Sequence, residues 1–259
     1  MNNLFAKIAA TEVLSNKELL VLLKMKDLTI NNLIHQFPNK ASKIIRHDNY
    51  QNFEELNLQM ITFLDEDYPD KLREVYNPPA ILYYRGELSL LNKTSIGIVG
   101  ARLGTEYSQK AIEKICRRLS NDKVIISGMA KGVDTMAHLG ALNNNLKTIA
   151  VMGTGIDGCY PTKNRKLKQR IEQMGLIISE YPTKHVTKPY NFVERNRIIA
   201  GLSNILIITE AKKKSGSLIT ASLALENNRE VYALPGSNEY LLSQGTNELI
   251  RDGAQVLLL

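Results

Sequence analysis

Cysteine is scarce in this chain: its 259 residues include two, Cys116 and Cys159, and neither belongs to a C-x-x-C pair. The four histidines are scattered, so no zinc-ligand spacing arises, and the expected setting is a reducing cytoplasm. No apolar stretch approaches the ~20 residues needed to cross a bilayer. The N-terminal stretch MNNLFAKIAATEVL lacks both a basic segment leading into a long apolar run and a small-residue cleavage site. The expectation is therefore a soluble, non-exported protein with no membrane partner. Also missing is G-x-x-x-x-G-K-[ST], which leaves a P-loop ATPase unsupported. Acidic clusters for two-metal nuclease chemistry are absent from the strand ends, and neither a metal nor a cofactor is expected.

Negative charge is missing from one region in particular. Between Tyr160 and Lys214 stand twelve Lys and Arg against four Glu and no Asp, a net +8 in a chain whose total is +7. Either this is a solvated lysine-rich surface or an anionic partner meets that region.

The apolar fraction is that of an ordinary globular protein, and the length allows one large domain with a small one. Residues 1–57 read as a small helical domain, with helical spacing in NKELLVLLKMK, TINNLIHQF and FEELN. Residues 58–94 change character. Two β-prone runs, 61–64 and 81–84, flank the turn formers Tyr68-Pro69-Asp70 and Asn77-Pro78-Pro79, which suggests a connector adding strands to the edge of the next domain. From Ser95 to Leu259 the runs IGIVG, VIIS, TIAVM, LIIS, NILIIT, VYALP and QVLLL alternate with helical segments starting near Thr105, Asp134, Asn164, Phe192, Ser217 and Gly245. Nearly continuous aliphatic runs mean strands covered on both faces, hence an α/β, Rossmann-like, doubly wound and mainly parallel sheet. Ligands of such a sheet bind beyond the carboxyl ends of its strands.

Five of the six loops at those ends carry glycine, and several add Ser, Thr or Asp where a helix begins. Glycine admits close approach of a ligand, and a helix N-terminus offers free amides and a positive dipole end. Taken singly, each glycine can also simply close a tight turn. A dinucleotide fingerprint is not met: Gly100-Ala101-Arg102-Leu103-Gly104 has Arg where the close-approach Gly belongs, and no carboxylate follows the second strand. For hydrolysis the nearest assembly is Ser127 or Ser217 with His138 and Asp134, but Asp134 is well placed to cap its own helix, and no catalytic residue is assigned. A phosphoribohydrolase would need a P-G-G-x-G-T loop with a catalytic Glu, where this chain has TEAKKKSGSLIT.

The stretch YNFVERNRIIAGLSN, residues 190–204, follows the basic segment. Asn191 is predicted to cap a helix with Glu194 completing a capping box, which makes Phe192 the first helical residue. Arg195 and Asn196 then share a face with Phe192, and Ile199 and Leu202 continue that line toward the core. An aromatic ring beside a guanidinium over a basic groove is how unpaired nucleic acid is held. The alternative is a Phe staple packed on the preceding loop. Near the chain end, Leu241, Leu242, Leu249 and Ile250 offer either core residues or a face for a second copy.

The blocks IVGAR, SGMAKGVDTMAHLGAL, TIAVMGTGIDGCYP, SEYP, FVERNRIIAGLS, SGSLITASLALE, VYALPGS and GTNELIRDGA, in this order, strongly resemble the DNA-processing protein DprA (Smf) family, from about Asp65 to Ala254. The N-terminal helices resemble its sterile-alpha-motif-like domain only loosely. The resemblance implies a non-enzymatic protein of natural transformation. Such a protein binds and protects incoming single-stranded DNA, loads the RecA recombinase on it, and forms a homodimer through the C-terminal part of the Rossmann-like domain. It implies a DNA pocket built on Arg102 of the Gly-x-Arg loop and on Phe192 and Arg195, with Arg197 from the same motif. Lys188 is added from charge and position. In this picture Gly100 and Gly128 allow close approach, amides at Ser215, Gly216 and Ser217 meet phosphates, and Lys131 with Lys212, Lys213 and Lys214 adds charge. Three departures stand out. Val193 replaces a frequent Pro; Lys131 replaces a usual Arg, losing its bidentate fork; and no C-terminal winged helix is expected.

Overall fold

Residues 3–183 and 185–259 are described by a computed structural model of the chain. Five helices come first, α1 (Asn3–Ala10), α2 (Asn16–Leu23), α3 (Ile30–Gln36), α4 (Pro38–Ile45) and α5 (Asp48–Gln51). Strands β1 (Gln59–Thr62) and β2 (Ile81–Gly86) flank α6 (Asp70–Arg73). The alternating part contains β3 (Ser95–Val99), α7 (Glu106–Arg118), β4 (Val124–Ser127), α8 (Val133–Asn143), β5 (Lys147–Met152), α9 (Arg165–Met174) and β6 (Leu176–Ser179). It continues through α10 (Pro189–Leu202), β7 (Ile205–Ile208), α11 (Gly216–Glu226), β8 (Glu230–Ala233), α12 (Gln244–Arg251) and β9 (Gln255–Val256).

The strands form one nine-stranded sheet in the order β1-β2-β6-β5-β4-β3-β7-β8-β9. The pairings from β6 across to β9 are parallel. The β1 and β2 strands extend the β6 edge in antiparallel register, with Tyr83 opposite Ser179. Every residue of β3, β4 and β6 is buried, as expected of strands covered on both faces. Along β5 the side chains alternate. Ile149 and Val151 join a cluster with Ile198, Ile199 and Leu202 of α10 and Ala221 of α11. Ala150 and Met152 face the opposite side, with Leu167 and Ile171 of α9 and with Phe5, Ile8 and Leu22 of the N-terminal helices. The helical region therefore shares apolar burial with the sheet.

From β3 the chain winds one way to β6, then α10 carries it back across the sheet so that β7 lies on the other side of β3, Val99 opposite Ile208. The switch point is between the carboxyl ends of β3 and β7, where a doubly wound sheet opens a crevice.

Two expectations about helix starts need correction. The α10 helix begins at Pro189, so Asn191 is its third residue: the Asn191 Oδ1 accepts from the Lys188 N–H at 2.6 Å. Proline suits a first helical position because it has no N–H to leave unpaired there. Glu194 is drawn instead to the Tyr181 hydroxyl, which donates at 3.0 Å. Asp134 does not cap α8, which starts after Gly132; its Oδ2 accepts from the Ala130 N–H at 3.3 Å.

Candidate nucleic-acid interface

The loop after β3 is built on Glu210, which follows β7. The Ala101 N–H donates to the Glu210 carbonyl at 2.7 Å. The Glu210 carboxylate accepts from Thr105 N–H at 2.7 Å, Thr105 Oγ1 at 2.8 Å and Ser108 Oγ at 2.6 Å. Thr105 is the N-cap of α7, so the helix start that would hold a pyrophosphate in a dinucleotide site is filled by this chain's own carboxylate. That agrees with the missing glycine fingerprint. It also leaves Glu210 buried and held by three donors, not free to act as a general base.

With its ends pinned, the loop turns Arg102 and Leu103 to solvent. The next loop packs against it. The Val133 N–H donates to the Ala101 carbonyl at 3.1 Å, and Gly132, at φ +75, lies so close to the Arg102 carbonyl that a Cβ would collide. Exposed Lys131 is thereby brought to the same rim as Arg102.

The missing side chains of Gly100 and Gly128 make room for this chain's own groups. The space a side chain would take at Gly100 holds Val133 and the Glu210 carbonyl, and at Gly128 it holds the guanidinium of Arg195. Arg195 is 4% exposed, so it does not sit beside Phe192 at the surface as expected. Its Nη1 donates to the carbonyls of Gly128 and Val151, and its Nε to Asn196 Oδ1 at 3.3 Å. Burial pulls the guanidinium down to about 10, while the Asp134 charge opposes that shift. Burial likewise raises the Asp134 carboxyl although Arg195 lowers it. Arg197 points elsewhere. It makes a two-pronged ion pair with Glu180, its Nη1 2.6 Å from Oε2, and its Nε donates to the Asn77 carbonyl at 2.9 Å. Arg195 thus holds the wall of the crevice from within, and Arg197 ties α10 to the ends of β2 and β6.

Phe192 is half-buried. Its ring rests on Gly153, where a Cβ would lie 2.8 Å from Cδ1, and packs at 5.3 Å, tilted 47°, against Tyr160. It separates two depressions. One, about 250 Å³, is bordered by Gly100, Arg102, Ala130, Asn196 and Gly216. The other, about 470 Å³, is bordered by Thr154, Tyr160, Thr187 and Lys188. Ser215 precedes α11 and Gly216 has open space around it, while Lys212, Lys213 and Lys214 are exposed. The Lys188 ammonium is exposed and lies 5.8 Å from the Tyr190 ring centre. Among the described residues, no ion pair ties up Arg102, Lys131, Lys188, Lys212, Lys213 or Lys214.

The suspected hydrolytic set does not assemble. Ser127 Oγ donates to the Ile98 carbonyl at 2.7 Å, His138 Nδ1 meets Thr148 Oγ1 at 2.8 Å, and Ser217 Oγ pairs with Ser215 Oγ at 2.9 Å. His138 is fully buried, and burial followed by the Arg195 charge lowers it to about 3. Among the described residues, no group of three or more His, Cys, Asp or Glu is disposed to hold a metal, and no helix is long and apolar enough to cross a membrane. Of the residues considered for contact with a second copy, Leu241 is 53% exposed, Leu242 and Ile250 are half-buried, and Leu249 packs on the main core.

Sequence reasoning passed over Tyr160 and Glu210. Tyr160 was legible as an aromatic in the GCYP turn after β5. Glu210 was not, because its partner Thr105 is 105 residues away.

Residues 59–258 match the family model described as DNA recombination-mediator protein A. The chain is 45% identical over 196 residues to the DNA processing protein DprA of Streptococcus pneumoniae, covering 76% of this chain and 70% of that protein. It is 36% identical over 239 residues to DprA of Bacillus subtilis, covering 90% and 78%. It is 43% identical over 213 residues to the protein Smf of Synechocystis, covering 80% of this chain but 54% of that relative, about half its length. Among solved structures, the X-ray structure of the Streptococcus pneumoniae protein superposes with a TM-score of 0.89 at 37% identity, covering 97% of this chain and 92% of that one. A Helicobacter pylori DNA processing protein A, whose structure was described for its single-stranded DNA binding mode, has a TM-score of 0.69 at 35% identity, covering 78% and 92%.

Proposed function

The chain belongs to the DNA recombination-mediator protein A family, and from that premise we propose that it binds single-stranded DNA across the rim at the carboxyl ends of β3, β4 and β5. One observation carries the reading: a half-exposed aromatic pair, Phe192 and Tyr160, stands at two depressions bordered by Arg102 and Lys188, neither in an ion pair among the described residues. Bases stack on aromatic rings whatever their sequence, while cations follow the backbone. Arg102, Lys131 and the lysines at 212, 213 and 214 would meet phosphates, with Lys188 on the far side of Phe192. The open start of α11 at Ser215, Gly216 and Ser217 would add amide donors. Asn196 borders the first depression and would meet a base edge or sugar.

The wider proposal follows the family resemblance. The protein would act in natural transformation in the cytoplasm as a homodimer, shielding the incoming strand and loading RecA without catalysing a reaction. The commitment of Glu210, Ser127 and His138 to internal hydrogen bonds supports a non-catalytic role. The test is fluorescence anisotropy with a thymidine oligomer and a duplex of equal length at several salt concentrations. Preference for the oligomer is expected; equal affinity for the duplex would overturn the reading. RecA loading is tested separately, by RecA-driven strand exchange on DNA already coated with a single-strand-binding protein.

A further inference from the structure

The loop between β6 and α10 leads into Lys188 and Phe192, and His185 ties it to the N-terminal helices. His185 Nδ1 lies 2.5 Å from Oε1 of Glu12, and its Nε2 lies 3.3 Å from Oδ1 of Asn191. The same Asn191 oxygen accepts from the Lys188 N–H at 2.6 Å, which fixes the amide's orientation. The imidazole also stacks on Tyr181, 4.1 Å between ring centres at 15°. Tyr181 in turn donates to Glu194 of α10. Glu12 stands just past α1 in a left-handed conformation, φ 56, on a helix anchored by buried Phe5, Ile8 and Ala10.

Both ring nitrogens of His185 thus face oxygen acceptors. A neutral imidazole donates from one nitrogen only; the doubly protonated ring donates from both. We propose that His185, as the imidazolium, is a positioning residue that clamps the DNA-facing loop to the N-terminal helices and holds Lys188 and Phe192 in their binding arrangement. The clamp rests on the single-stranded DNA reading above.

The surroundings agree with the charged form. Burial lowers the imidazole, but the hydrogen bond and charge of Glu12, with Asn191, outweigh it and raise the group above its ordinary range, while the Lys188 charge pulls the other way. Among the described residues, the other titratable and charged groups of the groove are His47 and Asp48 from the N-terminal side, Glu180 and Tyr181 beside β6, and Tyr190, Glu194 and Arg197 on α10. Because the tied form has the higher value, the clamp is whole below the ordinary imidazole range and is lost as pH rises through the raised value.

The experiment measures thymidine-oligomer affinity of the whole chain and of Glu12→Gln and His185→Gln at about pH 6 and about pH 8.5. In parallel, the histidine ring resonances of the DNA-free wild type and Glu12→Gln are titrated by NMR. The wild type is expected to weaken roughly 3–10-fold over that range, as the competent arrangement of the loop is depopulated. Both variants are expected to be weak and nearly flat with pH. The His185 midpoint should fall in Glu12→Gln, with the Lys188 and Phe192 amides shifting alongside. Wild type and variants binding alike at both pH values would overturn the clamp. Should the wild type bind no DNA at all, the proposed function fails, and the NMR arm still decides the tie: an unmoved His185 midpoint in Glu12→Gln overturns it.

Discussion

The guanidinium of Arg195 occupies the space that the missing side chain of Gly128 leaves, and it donates to that residue's carbonyl and to that of Val151. Removing it takes a donor from two buried carbonyls and leaves a cavity beside Gly128. Leaving a buried acceptor without its donor costs about 1–3 kcal/mol each. Arg195→Ala should therefore lower the urea midpoint sharply, and its weaker DNA binding should follow the loss of folded protein. A full-stability Arg195→Ala that still fails to bind would instead place the guanidinium on the DNA.

Arg102 and Phe192 separate two kinds of contact. Arg102→Ala should weaken oligomer binding and reduce the slope of log affinity against log salt by about 0.7. Phe192→Ala should cost roughly 1–3 kcal/mol of binding with the slope nearly unchanged. Anisotropy titrations across salt concentrations distinguish them; equal slopes in wild type and both variants would count against the assignments.

Arg197 was expected to meet DNA, but its fork is taken by Glu180 and its Nε by Asn77. Arg197→Ala should destabilise the fold by about 2–4 kcal/mol, because Glu180, largely buried, loses its ion-pair partner. Binding by the fraction that remains folded should keep the wild-type salt slope. Thermal melts and anisotropy on the same samples check both halves.

Acid should unfold the protein partly through His138. Its folded value, lowered to about 3 from 6.5 by burial and Arg195, means protonation favours the unfolded chain. The stability it confers is complete above about pH 6.5 and drains away as pH falls toward 3, a change on the order of 4–5 kcal/mol. Urea midpoints followed by circular dichroism from about pH 7 to pH 4 should fall steadily. The decline should flatten in His138→Met.

Leu241 and Leu249 should behave differently when charged. Leu241 is exposed, so Leu241→Arg should leave the melting temperature nearly unchanged while shifting any dimer toward monomer in light scattering. Leu249 packs on the core, so Leu249→Arg should lower the melting temperature whatever the assembly state.

Much of the fold was legible because local composition reports burial. The runs IGIVG, VIIS and LIIS admit little but strands covered on both faces, and the caps and turns beside them place most helix starts within a residue or two. The excess of cations between 160 and 214 was likewise a matter of composition. Which cations, there and at Arg102, stay free was decided only by tertiary structure. Arg195 finds Gly128 67 residues away, and Arg197 finds Asn77 across 120. Arg102, in a loop pinned at its ends by Glu210, is turned outward. A charged group buried with partners and one left in water look identical in sequence, since desolvation and pairing depend on chain segments that only the closed sheet brings together.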